Sequence, residues 1–377
     1  MLTYLGFSTV VVFLAALVLL STGSTSTPAI AHLVFAVGIV PLIFAAISHF
    51  VPVLTRGRGA PRSLRLLPLL LQFSGAFVFL AFVGEAADST LQAAAAATLL
   101  LALIFTGWLL FRAGATLGRP HPGWRWYLLA TVCLALAVAL VPAMSYWPEL
   151  RRPLRLLHLH LNTLGFIGLT ALGTLPVLLP TVLRDPDARA AEQLRRQLPL
   201  AAVGVLAVAV GAAGWLPLAI AGALMLLAVT ANTGLAWLRR HAWRTLMNDG
   251  AAAALFAALV GFALTLGFGI AHALTILDGR DAIAAFMVAF LLPLITGALS
   301  QLLPVWYRPG RRTAARDRMH AALRDGALLR SLLFVVGGVL LAFGVDDGAW
   351  LAVVAMLSFV IALSRSLLAA RDERTEP

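Results

Sequence analysis

The chain has 377 residues, of which 61% are hydrophobic and only 12% are charged, and its mean hydropathy is +0.94. Soluble globular proteins carry about 25% charged residues, so this composition excludes a soluble fold and indicates a polytopic membrane protein. The net charge of +12 arises from 28 arginines, with no lysine, scattered over short loops. Because the arginines form no contiguous basic domain, we expect no nucleic-acid partner, and the predicted partner is the lipid bilayer.

Twelve apolar stretches follow one another along the chain, each long enough to cross the bilayer core as a helix of roughly 20 residues. They lie approximately at 4–23, 28–54, 66–84, 90–112, 125–146, 153–183, 198–214, 216–238, 250–274, 282–307, 328–344 and 348–366. The sequence therefore predicts an all-α polytopic membrane protein in which residues 1–377 form a single transmembrane domain. The first stretch lacks a basic leader and a small-residue cleavage site, so we expect it to be retained as a helix.

The arginines are distributed unevenly between the two ends of the predicted helices. One end holds 24 of the 28, in the loops 54–65, 112–126, 184–197, 238–248 and 307–330 and in the tail 365–377. The other end holds only Arg151, Arg152, Arg155 and Arg280. Because arginines are retained on the cytoplasmic side, we expect both termini to be cytoplasmic, in the inner (cytoplasmic) membrane of a bacterium or an archaeon.

Three segments share a pattern that indicates an internal repeat: "AAISHFVPVLTR" (45–56), "GTLPVLLPTVLR" (173–184) and "GALSQLLPVWYR" (297–308). Their final prolines, Pro52, Pro180 and Pro304, are 128 and 124 residues apart, which is about four spans. Each proline follows a small residue by seven positions and a serine or proline by four. The pattern predicts three pseudo-symmetric, parallel four-helix units at about 1–124, 125–248 and 249–377.

Four histidines lie near the outer, arginine-poor ends of predicted helices: His32, His158, His160 and His272. His32 and His160 occupy the same repeat position, twenty residues before Pro52 and Pro180. His158 is turned about 200° from His160 on an ideal helix, so one pocket does not readily accept both. Neutral imidazole is the commonest metal ligand, and four at one depth predict a metal or cofactor site. Hydrogen bonding between helices remains the alternative role.

Two histidines on facing helices can hold a haem iron from both sides. The haem propionates would then need cations at the polar edge, and Arg151, Arg152 and Arg155 directly precede His158. The alternative is that these arginines are merely tolerated there, partly offset by Glu149. Copper or zinc, bound by His32, His158, His160 and His272, is a second possibility because imidazole suits both metals.

The segment "AHLVFAVGIVPLIFAAISHFVPVLTRGRGAPR" (31–62) resembles the second helix of subunit I of the haem-copper oxidases. The likeness consists of a histidine, a central proline, an F-V-P-L-like exit and a loop with A-P-R. It implies that His32 is the ligand of a low-spin haem b. The H-x-H of "HLHLNTLGF" is similar to the family's tenth helix, where two histidines ligate haems. Repeat symmetry carries that role to His158 and His160.

The chain departs from the oxidases where dioxygen is reduced. The stretches 198–214 and 282–304 contain no histidine, and the sixth span lacks the His-x-x-x-Tyr pattern. The resemblance therefore implies a haem protein that transfers electrons or binds a diatomic gas (NO or O2). It also implies a redox partner or other membrane subunits. Whether the protein is an enzyme stays open. The NnrS family, associated with nitric oxide, is similar in architecture only. The alternative functions are a transporter or handling protein for copper or haem, and an assembly subunit.

Overall fold

The computed structural model describes residues 1–116 and 118–370, apart from the side chains at 279–281. The structure is 85% helical, without a strand in the described ranges, and it contains twelve helices long and apolar enough to cross a membrane. The predicted all-α membrane architecture is therefore confirmed. The end of the predicted cytoplasmic tail, 371–377, and the side chain of Arg280 lie outside the described residues.

The twelve helices are numbered α1 to α12. They are α1 (Leu2–Thr22), α2 (Thr27–Leu54), α3 (Arg62–Phe82), α4 (Asp88–Gly114), α5 (Gly123–Tyr146), α6 (Pro148–Val182), α7 (Ala190–Gly214), α8 (Leu216–Arg240), α9 (Gly250–Ala273), α10 (Ala282–Tyr307), α11 (Ala314–Ala342) and α12 (Asp347–Ala369). A short helix, Trp243–Asn248, precedes α9. Within α11, two helical segments, Ala314–Arg324 and Ala327–Ala342, meet at Gly326, which has a positive φ of 65°.

Two helices begin well before the apolar stretches that predict them. α7 begins at Ala190, and its first turns hold the polar segment 192–197, composed largely of good helix formers. The first segment of α11 is polar as well, and its N-terminus is capped by the Thr313 hydroxyl, which accepts a hydrogen bond from the Arg316 amide. A hydropathy pattern detects only the part of a helix that lies in lipid, so these polar extensions were not predicted.

Three helices contain a wider, π-helical segment: Leu33–Ile39 in α2, Leu161–Gly168 in α6 and Phe286–Leu291 in α10. These segments begin 19, 19 and 18 residues before Pro52, Pro180 and Pro304. The same helices are the most enclosed: 67%, 78% and 78% of their apolar windows are buried, against 28–56% for the other nine. Such π segments frequently occur at functional sites. The three-unit repeat remains a prediction.

The chain forms two compact units. The first comprises 1–12, 25–177 and 187–229, and the second comprises 13–24, 178–186 and 230–377. In the first unit, the buried ring of Phe44 lies 4.6 Å from Phe105 and 5.7 Å from Phe166, measured between ring centroids. In the second, Phe262 lies 4.8 Å from Phe290. Each unit thus packs aromatic side chains around one or two of the helices that carry a π segment.

Glycines bring neighbouring helices close to the π segments. In the first unit, Gly75 of α3 lies against the carbonyl of Ala36 in α2, where a Cβ atom would overlap it. In the second unit, Gly261 of α9 and Gly338 of α11 both lie against Ala289 in α10. Small residues allow this close backbone approach, which drives helix association in lipid.

Candidate functional site

The structure places two of the predicted histidines side by side in the first unit. His32 closes the short α-helical turn Thr27–His32, directly before the π segment of α2, and His158 lies near the arginine-poor end of α6. Their ring centroids are 6.5 Å apart, and the ring planes differ by 27°. Both residues are half-buried. Two imidazoles on different helices therefore form one pair.

Hydrogen bonds to backbone carbonyls determine which nitrogen of each ring carries the hydrogen. Nδ1 of His32 is 2.7 Å from the carbonyl oxygen of Pro28, and Nδ1 of His158 is 2.8 Å from that of Ala137 in α5. A carbonyl oxygen only accepts, so each Nδ1 must donate its hydrogen. In a neutral ring, the lone pair then belongs to Nε2, which is the arrangement found in metal-binding histidines.

An aromatic ring packs against one face of the His32 ring. Phe82, the last residue of α3, stacks on the His32 ring with centroids 4.0 Å apart and planes 15° apart. The stack and the Pro28 hydrogen bond together restrict both rotatable bonds of His32. Phe82 was not singled out from the sequence, because a phenylalanine at the end of an apolar helix carries no local signal of this contact.

His160 has different surroundings from His158, as the turn of about 200° between them predicts. Its Nδ1 lies 2.8 Å from the carbonyl of Leu156 in its own helix, whereas His158 bonds to α5. The Asn162 side chain donates to the carbonyl of His158 at 2.8 Å, within the π segment of α6. The sequence left both His158 and His160 as candidate partners of His32, and the ring beside His32 is that of His158.

His272 belongs to the second unit and is exposed. Its Nδ1 lies 3.0 Å from the carbonyl of Leu277, in the turn that follows α9. The part of the chain that the structure describes holds no group of three or more His, Cys, Asp or Glu side chains placed to bind a metal ion. The geometry therefore offers a two-imidazole site at His32 and His158, and the four-histidine metal site stays a prediction.

Arg151, Arg152 and Arg155 are exposed at the beginning of the helical segment Arg151–His160. None of their side chains makes a hydrogen bond or an ion pair with a described residue, and Glu149 does not pair with them. Arg151 and Arg155 precede His158 by seven and three positions, which places all three on one helix face, and Arg152 points elsewhere. Two unpaired cations thus lie on the same face as the His158 ring.

A scan against protein-family models gives no match to this chain, and a search of the curated proteins finds no relative.

Proposed function

We propose that the protein binds a b-type haem with His32 and His158 as its two axial ligands. Two imidazoles that hold one metal ion from opposite sides place their ring centres roughly 6 Å apart, since each metal–nitrogen bond is about 2 Å long. The observed separation is 6.5 Å, and both Nδ1 atoms are already hydrogen-bonded to carbonyls. This combination of spacing and tautomer is the observation that carries the proposal.

The pair also supports a role in electron transfer. An iron with both axial positions filled by protein exchanges electrons, whereas a gas-binding iron keeps one position open. The resemblance of 31–62 to the second helix of oxidase subunit I agrees with a low-spin haem at His32. α7 and α10 contain no histidine, so we do not propose oxygen reduction. NO or O2 binding would require one of the two histidines to dissociate.

The charge distribution gives the proposed haem an orientation. The arginine-rich ends of the helices are proposed to be cytoplasmic, in the inner membrane, which places His32 and His158 near the outer surface. Arg151 and Arg155 would then bind the propionates at the polar edge of the haem, because arginine pairs strongly with carboxylates. A redox partner would accordingly approach from the outer side of the membrane.

Absorbance spectra of the purified protein test the proposal. Wild-type protein, reconstituted with haem, should show a Soret band and the sharp reduced bands of a six-coordinate, low-spin haem. His32→Ala and His158→Ala should each lose the haem or become high-spin, and His160→Ala is the matched control that should keep the wild-type spectrum. A missing Soret band in the wild type would overturn the proposal, as would a His160 variant that behaves like the other two.

The same pair supports copper handling as a second candidate function. Two imidazoles facing one ion also suit a copper ion, and the described residues add no third His, Cys, Asp or Glu ligand of the kind that a zinc site uses. Metal analysis of protein purified without added haem distinguishes the candidates. One equivalent of copper, lost in His32→Ala and retained in His160→Ala, would favour copper handling; haem without copper would exclude it.

A further inference from the structure

A patch of unpaired arginines lies at the opposite, arginine-rich end of the helices in the first unit. The end of α2 and the loop that follows it contact the end of α4 and the segment after it. The Arg112 guanidinium donates to the Thr55 hydroxyl at 3.1 Å, and the His121 amide donates to the Leu54 carbonyl at 3.0 Å. Six of the seven arginines in 54–65 and 112–126 form the surface that we call the arginine patch: Arg56, Arg58, Arg62, Arg65, Arg112 and Arg119.

The arginine patch has no counter-charge within the described structure. Neither 54–65 nor 112–126 contains an acidic residue, and no described carboxylate forms an ion pair with any of the six. The second unit differs, since its own carboxylates pair with arginines: Asp185 with Arg240 at 2.7 Å and Asp249 with Arg324 at 2.7 Å. Concentrated, uncompensated positive charge attracts an anionic partner.

An apolar strip continues from the patch along α3. Leu66, Leu70 and Phe73 follow Arg62 by 4, 8 and 11 positions, so they lie on the same helix face. They are 57%, 54% and 64% exposed, respectively. From Arg62 to Phe73 the face is about 16 Å long at 1.5 Å per residue, comparable with a large part of an acyl chain. The surface is thus cationic at one end and apolar along its length.

We propose that this surface binds an anionic phospholipid, with the phosphate on the arginine patch and an acyl chain along Leu66, Leu70 and Phe73. Basic clusters at the membrane ends of helices bind anionic lipid headgroups. An acidic protein would match only the arginines, whereas a molecule with a phosphate at one end and hydrocarbon at the other matches both parts. The proposal is independent of the haem site.

Lipid titrations of the full-length protein test the proposal. Binding to the wild type in detergent should be at least tenfold tighter for phosphatidylglycerol than for phosphatidylcholine, read by native mass spectrometry. The variant Arg58→Gln/Arg62→Gln/Arg65→Gln should lose at least tenfold in phosphatidylglycerol affinity, since each arginine near an anionic surface contributes roughly fivefold. The matched control, Arg311→Gln/Arg316→Gln/Arg318→Gln, removes the same charge from the second unit and should bind like the wild type.

Two further measurements separate the possible outcomes. Glycerol phosphate, which has the headgroup without acyl chains, should compete poorly, and Leu70→Ala/Phe73→Ala should weaken phosphatidylglycerol binding while the arginines remain. Equal affinity of the wild type for both lipids would overturn the proposal without reference to any variant. Equal losses in the two triple variants would overturn it as well, because the effect would then follow net charge rather than this surface.

Discussion

Gly261 of α9 lies directly against the backbone carbonyl of Ala289, in the π segment of α10. A Cβ atom on Gly261 would overlap this carbonyl, which belongs to the backbone and cannot rotate away. Gly338 of α11 approaches Ala289 from another helix, so the widened turn is enclosed by glycines. The packing of the second unit around α10 therefore depends on the absence of a side chain at 261.

We predict that Gly261→Ala destabilises the protein by about 1–3 kcal/mol, the usual cost of forcing an extra group into a packed interior. Gly267 is the matched control on the same helix, because a Cβ there meets nothing within 4 Å. Gly267→Ala should be neutral or stabilising by up to about 1 kcal/mol, since alanine is the better helix former. Unfolding in mixed detergent micelles measures the free energy of unfolding of both variants. Equal stabilities would contradict the close contact between Gly261 and Ala289.

Asp249 stabilises the beginning of α9 in two ways. One carboxylate oxygen accepts from the amides of Ala251 and Ala252, both at 3.0 Å, and the other accepts from Arg324 at 2.7 Å. Asp249→Ala should cost about 1–2 kcal/mol through the lost N-cap, and further stability through the partly buried ion pair. Asp249→Asn retains a cap and should cost less.

Asp325 provides the control for Asp249. Its side chain is 73% exposed and lies 3.6 Å from Arg365, so Asp325→Ala should change the free energy of unfolding by less than about 1 kcal/mol. Thermal melts in one detergent rank the stabilities of Asp249→Ala, Asp249→Asn and Asp325→Ala. An Asp325 variant as unstable as Asp249→Ala would show that the cap and the Arg324 pair contribute little.

The sequence predicted the helices well and the site only in part. Hydropathy locates all twelve spans because lipid imposes one requirement, continuous apolar length, on every crossing. His32 and His158 were both predicted as candidates from their position near the arginine-poor ends. The choice between His158 and His160 as the neighbour of His32 was left open, because it depends on helix rotation and on contacts with Phe82 and Ala137, which are distant in sequence. The π segments shift this rotation, and the apolar pattern of the sequence does not predict them.

His121, in the segment between α4 and α5, predicts a pH-dependent stability. His121 precedes α5, and its Nδ1 accepts a hydrogen bond from the Gly123 amide at 3.2 Å, which requires the neutral ring. Burial lowers the pKa of His121 below its ordinary value of 6.5. The unfolded chain therefore takes up this proton more readily than the folded chain.

The contribution of His121 to the free energy of unfolding is fully present above pH 6.5, and it is lost as the pH falls from there toward the lowered pKa. We predict that the melting temperature of the wild type falls between pH 7.5 and pH 5. His121→Asn retains an acceptor but does not titrate, so its melting temperature should fall less over the same range. Identical pH profiles of the two proteins would exclude this role for His121.

Substitutions of Arg155 and Arg152 distinguish the proposed propionate contact from a general effect of charge. Arg155 lies on the face of His158, three positions before it, and Arg152 lies on another face; both are exposed and unpaired. If the proposed haem is bound there, Arg155→Gln should weaken haem affinity by roughly tenfold or more, because a hydrogen bond to a charged group contributes about 1.5–3 kcal/mol. Arg152→Gln removes the same charge and should change the affinity by less than about threefold. Haem titration of the apoprotein, followed at the Soret band, measures the haem affinity of both variants. The midpoint potential should also fall in the Arg155 variant. A positive charge near the iron disfavours the oxidised, more positive state, so its removal stabilises that state. Equal effects of the two substitutions would mean that the arginines act only through the surface potential.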